Sequence, residues 1–242
     1  MCGTTPRTFF ITALTLRLSI LSIASQVRWD ADAYEIEIAA LTRGVVGWIG
    51  DWKGRGVSYG AVDNGQLRPA GNRSDSTWRG EARFTELTYA PDGAVTTAAQ
   101  PSNEQDNRDP VPPELARDTI DVLSALIALV RKVGATGRCD GQFPVYDGRR
   151  RFDLSVTDGG EFTLDKNDYS PFAGRARKCL ASMRRLAGFW KEKDARRQAA
   201  PSEDKPVLIW LAPPKPGAPS LPVRAEAELG LGTLVLHLRA AE

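Results

Sequence analysis

The sequence lacks most of the residues and motifs on which common enzyme chemistry depends. Among its 242 residues there is one histidine, His237, and there is no Gly-x-Gly-x-x-Gly, P-loop or Gly-x-Ser-x-Gly pattern. Metal sites of the Cys/His type need clustered ligands, and the three cysteines and the single histidine are scattered along the chain. The sequence therefore indicates no catalytic residues, no cofactor and no metal site, and we expect a protein that is not an enzyme.

A strong charge of one sign is also missing. The chain has 32 Lys and Arg against 30 Asp and Glu, so no global field attracts it to nucleic acid. Cations are nevertheless concentrated in residues 131–197, with 16 Lys and Arg against 9 Asp and Glu. They either cover solvated strand faces or form a basic surface that docks an anionic component of the cell envelope. The candidate residues for such a surface are Arg149, Arg150, Arg151, Arg175, Arg177, Lys178, Arg184 and Arg185.

No stretch is apolar and long enough to predict a transmembrane span in the mature chain. Residues 1–25 have two interpretations. Arg7 precedes an apolar run, and Ser22 and Ala24 are small residues suited to cleavage, which is typical of a signal peptide. Residues 14–20, however, alternate apolar with polar side chains, which is typical of a first strand. If the segment is a strand, we expect the start codon and its signal to lie upstream.

Residues 26–242 have the pattern of a single β domain. Alternating runs are separated by Asp63-Asn64-Gly65, Pro91-Asp92-Gly93 and Asp147-Gly148, and the last of these favours a two-residue hairpin turn. Glycines mixed with aromatic residues between positions 44 and 59 are typical of strands that bend. We predict a mainly β fold, a single curled antiparallel sheet or open barrel-like domain with one covering helix.

One segment predicts that helix, from about Thr119 to Val133, because its apolar residues recur at helical spacing. Asp118 or Thr119 is the expected N-cap, and Gly134 the expected end. We expect the helix to cover one opening of the curved sheet. Residues 175–197 fit either a basic helix or two short strands.

Two of the three cysteines, Cys139 and Cys179, lie within the β domain, whereas Cys2 lies in the leader or at the chain end. We predict that they form a structural disulfide, which would close a 40-residue loop. Such a bond persists in an oxidising compartment such as the periplasm. Two buried free thiols are the alternative.

A curled sheet can enclose one ligand, such as a lipid or another amphiphile. Trp48, Trp52 and Trp78 are the candidate lining residues, although a filled interior fits the sequence equally well. A hydrolase that uses Asp147 with Asp153 or Asp158 is a third hypothesis. Turn geometry already explains Asp147, and strand alternation explains Asp153.

Several short segments, taken in their order, resemble the DUF3108 family of uncharacterised bacterial envelope proteins. The resemblance runs from about residue 34 to the C-terminus and implies an exported, β-rich periplasmic protein with no established activity. We therefore expect a non-enzymatic binding or envelope-maintenance function. The matching segments are Thr42-Arg43-Gly44-Val45-Val46-Gly47-Trp48, Gly65-x-Leu67-x-Pro69, Asp121-Val122-Leu123-Ser124-Ala125-Leu126, Cys139, Val145-Tyr146-Asp147-Gly148-Arg149-Arg150-Arg151-Phe152, Cys179, Leu186-Ala187-Gly188-Phe189 and Leu221-Pro222-Val223-Arg224.

Overall fold

The computed structural model describes residues 7–15, 18–43, 51–190, 205–229 and 232–241. These residues form thirteen strands and two helices, so the predicted mainly β fold is confirmed. The strands are β1 (Arg7–Thr15), β2 (Leu18–Trp29), β3 (Ala33–Thr42), β4 (Trp52–Asp63), β5 (Gln66–Trp78), β6 (Glu81–Tyr89), β7 (Val95–Gln100), β8 (Gly141–Tyr146), β9 (Arg151–Leu164), β10 (Gly174–Ala187), β11 (Val207–Ala212), β12 (Leu221–Leu229) and β13 (Gly232–Ala241). The helices are α1 (Pro113–Ala116) and α2 (Val122–Thr136).

The strands make two antiparallel sheets of six, β2 to β7 and β8 to β13, each in sequential order. Strand β1 pairs with β2 on one side and with β13 on the other, and so links the two sheets. The predicted antiparallel β arrangement is therefore confirmed, but the single curled sheet is divided into two six-stranded sheets, which β1 bridges into one ladder of thirteen strands. Within the described ranges no backbone ladder joins β7 to β8, so the barrel is not closed.

Helix α2 lies between the two sheets and packs against both. Ile127 shares one buried cluster with Ile36 of the first sheet and Val223 of the second. Further along the helix, Leu129 and Val133 pack in a second cluster against β9, β10 and β11. The space beneath the buried face of α2 is therefore packed core.

The helix begins later than the sequence predicts, at Val122. Ile120 is still extended, because it forms a parallel bridge with Val145 of β8. The N-cap is Asp121, and not Asp118 or Thr119. Its carboxylate accepts the N–H groups of the first turn and so fixes the start of the helix.

Three further boundaries differ from expectation or resolve an ambiguity. Helix α2 continues through Gly134 and ends at Gly137, which adopts φ 68°. Residues 174–187 form β10, a strand and not a basic helix, whereas residues 191–204 lie outside the described ranges. Residues 147–150 form a four-residue connection between β8 and β9, in which the Asp147 carboxylate accepts two backbone N–H groups.

Residues 7–15 and 18–29 lie in β1 and β2, so the alternating stretch 14–20 spans the end of one strand and the start of its antiparallel neighbour and is not one first strand, with residues 16–17 outside the described ranges. Whether a signal peptide exports the chain stays a prediction.

The sulfur atoms of Cys139 and Cys179 lie at bonding distance, with their Cα atoms 6.0 Å apart, in support of the predicted disulfide. Both side chains are fully buried. Cys139 follows the C-terminus of α2, so the bond ties this end of the helix to β10. Loop closure of this size stabilises a fold by roughly 2–4 kcal/mol.

Two glycines provide a test of the packing. A Cβ added at Gly60 would lie 2.2 Å from the Arg68 carbonyl oxygen, a backbone atom of β5 that cannot easily move. A Cβ added at Gly134 would have no atom of the surrounding elements within 4 Å. We expect Gly60→Ala to lower the free energy of unfolding by about 1–3 kcal/mol through overpacking. Gly134→Ala should raise it by up to about 1 kcal/mol through helix propensity. Urea unfolding measures both, and equal values would contradict the β4–β5 packing.

Candidate functional site

Alternate residues of β4 and β5 face the helix. Ser58 and Asn72 lie opposite each other, and both donate hydrogen bonds to Asp121 at the start of α2, which identifies this as the inner face. Alternation along each strand then places the neighbouring cross-strand pairs on the same face. These pairs are Gly56 with Ser74, Gly54 with Ser76, and Trp52 with Trp78. We call Trp52, Gly54, Ser74, Ser76 and Trp78 the inner trough.

The inner trough is accessible to solvent in the described part of the chain. Trp78 is 51% exposed and Ser74 is exposed, whereas Gly56, covered by Leu123 of α2, is buried. The ring of Trp52 lies close over Gly54, where an added Cβ would come within 2.9 Å of it. The packed core therefore gives way, beyond Gly56, to an open surface with two indole rings and a floor of small residues.

The structure thus brings together two of the three tryptophans that the sequence singles out. Trp52 and Trp78 are direct cross-strand neighbours. Trp48 lies outside the described residues.

A buried polar cluster fixes the helix beside the inner trough. Besides the backbone of its first turn, Asp121 accepts hydrogen bonds from Ser58 at 2.9 Å, from Asn72 at 3.3 Å and from Ser124 at 2.5 Å. The Tyr34 hydroxyl lies 2.7 Å from that of Ser124, and burial raises the pKa of Tyr34 to about 12. Asp121 is 1% exposed, so the cluster positions α2 and is closed to a substrate.

An arginine cluster lies on the other side of the trough. We define it as Arg83, Arg108 and Arg149 around Asp106. Their guanidinium nitrogens lie 2.9, 2.8 and 4.0 Å from the Asp106 carboxylate, whose side chain is 7% exposed. Arg83 is the cross-strand partner of Ser76, so it adjoins the floor of the inner trough.

The arginine cluster joins the ends of the two sheets, where no ladder connects them in the described structure. Arg149, in the connection between β8 and β9, donates hydrogen bonds to the carbonyl groups of Phe84, Gln100 and Pro101 at the edge of the first sheet. Arg108 donates to the Gly188 carbonyl and lies 4.2 Å from the ring centre of Trp190. Burial lowers the pKa of both Arg108 and Arg149.

The basic residues proposed as a docking surface are mostly compensated locally. Lys178 lies over the rings of Phe162 and Trp210, and Arg185 over that of Phe189. Six arginines lie in ion pairs, which are Arg149 with Asp106, Arg150 with Asp147, Arg151 and Arg184 with Asp153, Arg175 with Glu161, and Arg177 with Asp158. This arrangement does not favour a continuous basic docking surface, and Arg149 differs from the others because it shares Asp106 with two further arginines.

The same ion pairs account for the three aspartates of the hydrolase hypothesis. Asp147 closes its own turn and binds Arg150, Asp153 binds two arginines, and Asp158 binds Arg177. Across the described ranges, no three His, Cys, Asp or Glu side chains come together as a metal site would require. None of the helices described has both the length and the apolar character needed to cross a membrane.

Comparisons with known proteins give a family and a fold. A family model described as protein of unknown function (DUF3108) matches residues 10–239. A β-barrel-like protein of domain of unknown function DUF1849 from Brucella abortus is similar in structure, with a TM-score of 0.57 and 10% identity over 98% of this chain and 97% of that one. At this identity the likeness shows the fold alone. No curated protein sequence matches.

Asp106 makes the free energy of unfolding depend on pH. Burial works to raise the pKa of Asp106, but hydrogen bonds from Arg108 and Arg83 outweigh it and hold the pKa below 3.8. A carboxyl with a lowered pKa stabilises the fold above its unfolded value, and that stability is lost as the pH falls through the folded pKa.

We therefore expect Asp106→Asn to lower the free energy of unfolding at neutral pH by about 3–5 kcal/mol, because it leaves buried arginines unpaired. The variant should also lose less stability than the parent below pH 3.8, the usual value for this group. Urea unfolding at neutral and acid pH measures both effects. Asp92→Asn, which removes an exposed ion pair with Arg117, is the control and should leave the free energy of unfolding nearly unchanged. A neutral result for Asp106→Asn would show that the cluster does not hold the sheet ends together.

Proposed function

The chain belongs to the DUF3108 family of proteins of unknown function, and from that premise we propose that it is an exported, non-enzymatic protein that binds an amphiphile in the inner trough. Envelope maintenance is the setting that the family resemblance implies, and the trough is the feature that gives the proposal a chemical basis.

The observation that carries the proposal is the exposure of Trp78 on the inner face of β5, next to Trp52. A 51% exposed indole beside a second indole leaves a large apolar area in contact with water. Exposed apolar groups that are scattered singly need no explanation, whereas adjacent ones on a single face favour a surface that binds an apolar partner. Ser74 and Ser76 are small side chains beside the Trp52 ring, which itself covers Gly54, so the exposed face of Trp78 and these two serines form the proposed contact surface.

The packed core limits where such a ligand lies. Ile127 and its neighbours fill the space between the sheets beneath α2. The proposed ligand therefore occupies the end of the interior beyond Gly56, and does not run through the whole domain.

Export is supported by the cysteines. A fully buried Cys139–Cys179 bond is compatible with an oxidising compartment, and cytosolic proteins rarely retain such bonds.

Substitution of Trp78 tests the binding site. We expect Trp78→Ala to weaken the binding of the fluorescent fatty acid cis-parinaric acid by about tenfold, since a stacked indole contributes about 1–2 kcal/mol of apolar contact. Phe162→Ala is the matched control, because Phe162 is also 51% exposed but lies on β9, outside the inner trough. Fluorescence titration gives the affinities, and equal weakening by both variants would remove the trough as the site.

Thiol trapping in the native host tests the compartment. We expect Cys139 and Cys179 to resist alkylation in acid-quenched cells until a reductant is added, and the protein to fractionate with the periplasm. Ready alkylation of both thiols in a cytoplasmic fraction would overturn the export proposal.

A further inference from the structure

The arginine cluster contains more positive charge than its surroundings neutralise. Three guanidinium groups, those of Arg83, Arg108 and Arg149, share the single carboxylate of Asp106, which leaves an excess of two positive charges. The side chains of Arg108 and Arg149 are only 6% and 13% exposed, so water screens them poorly. Burying charge without a partner is costly, and an anion at this place would offset that cost.

Neighbouring charged groups do not cancel the excess. Asp147 pairs with Arg150 within the same turn, so together they add no net charge. Glu81 shares the face of the inner trough, but it lies opposite Trp78, next to the β5–β6 turn and two residues further along β6 than Arg83. The same turn carries Arg79, whose guanidinium lies 5.7 Å from the ring centre of Trp78, so Glu81 does not give this end of the trough a net negative charge.

Arg83 is the member of the cluster that is free to bind a ligand. Among the described residues, its guanidinium makes one hydrogen bond, from Nη1 to Asp106 at 2.9 Å, and its side chain is 31% exposed. Arg108 and Arg149, in contrast, donate to backbone carbonyls that hold the sheet ends. Arg83 shares the face of the inner trough with its cross-strand partner Ser76, since the Cβ atoms of such partners lie about 5 Å apart.

We propose that Arg83 binds the anionic group of the trough ligand, which makes that ligand an anionic amphiphile with a carboxylate or phosphate head and an apolar chain against Trp52 and Trp78. This inference rests on the proposed function and specifies its ligand class. A planar guanidinium with unused donors is well suited to either head group.

The test compares a charged with an uncharged form of one probe. Cis-parinaric acid and its methyl ester share the same chain, and only the acid is anionic at neutral pH. The parent protein should bind the acid at least about tenfold more tightly than the ester, as expected for a charge-assisted hydrogen bond. In Arg83→Gln this preference should disappear while the ester affinity stays unchanged, and Arg83→Lys should restore part of it.

Arg55→Gln is the matched control. Arg55 lies on the outer face of β4, paired with Glu37, and its loss should leave the preference intact. Equal affinity of the parent protein for acid and ester would overturn the anionic ligand and leave the amphiphile site standing. A preference that survives Arg83→Gln would overturn the role of Arg83. Failure of both probes to bind would overturn the proposed function together with this inference.

Discussion

The fold depends on the anchoring of α2 by the carboxylate of Asp121. Burial raises the pKa of Asp121, and an acidic group with 1% exposure is tolerated only when its oxygens are hydrogen-bonded; here donors from β4, β5 and the helix itself converge on it. Because two of these donors lie on different strands, β4 and β5, and a third on the helix itself, the cluster fixes both the position and the angle of the helix. The disulfide at Cys139 holds the other end. The extent of α2 then determines where packed core ends and the inner trough begins.

A second constraint acts where the two sheets meet without a ladder. Strands β7 and β8 leave backbone groups at their edges, and such edges must be covered or paired. Ile120 covers part of β8 through a parallel bridge, and Arg149 satisfies carbonyls at the end of the first sheet. Side chains thus close the barrel-like shape that hydrogen-bonded strands leave open. Because arginine side chains connect the sheet ends here, positive charge is concentrated next to the trough. Backbone hydrogen bonds between β7 and β8 would have added no charge.

The sequence predicts local structure well, such as the position of a turn. The hairpin at Asn64 and Gly65 is correct because both residues adopt positive φ, 49° and 79°, as their types favour. The start of α2 is missed by three residues because the pairing of Ile120 with β8, a tertiary contact, overrides the capping preference of Thr119. The split into two sheets is missed for the same reason, since period-two alternation specifies strands and says nothing about how thirteen of them divide.

The candidate site also combines features that are visible in the sequence with features that only the fold creates. Tryptophan enrichment is visible in the sequence, but the pairing of Trp52 with Trp78 depends on the β4–β5 register, and Arg83 and Arg149 meet only through the fold. Exposed indoles and excess buried cations are each unfavourable for a protein alone in water. The two features occupy neighbouring positions of one inner face, because Ser76 and Arg83 are cross-strand partners. A single ligand with an apolar part and an anionic part would satisfy both. An anionic amphiphile has that dual character, with an apolar chain and a charged head at fixed separation.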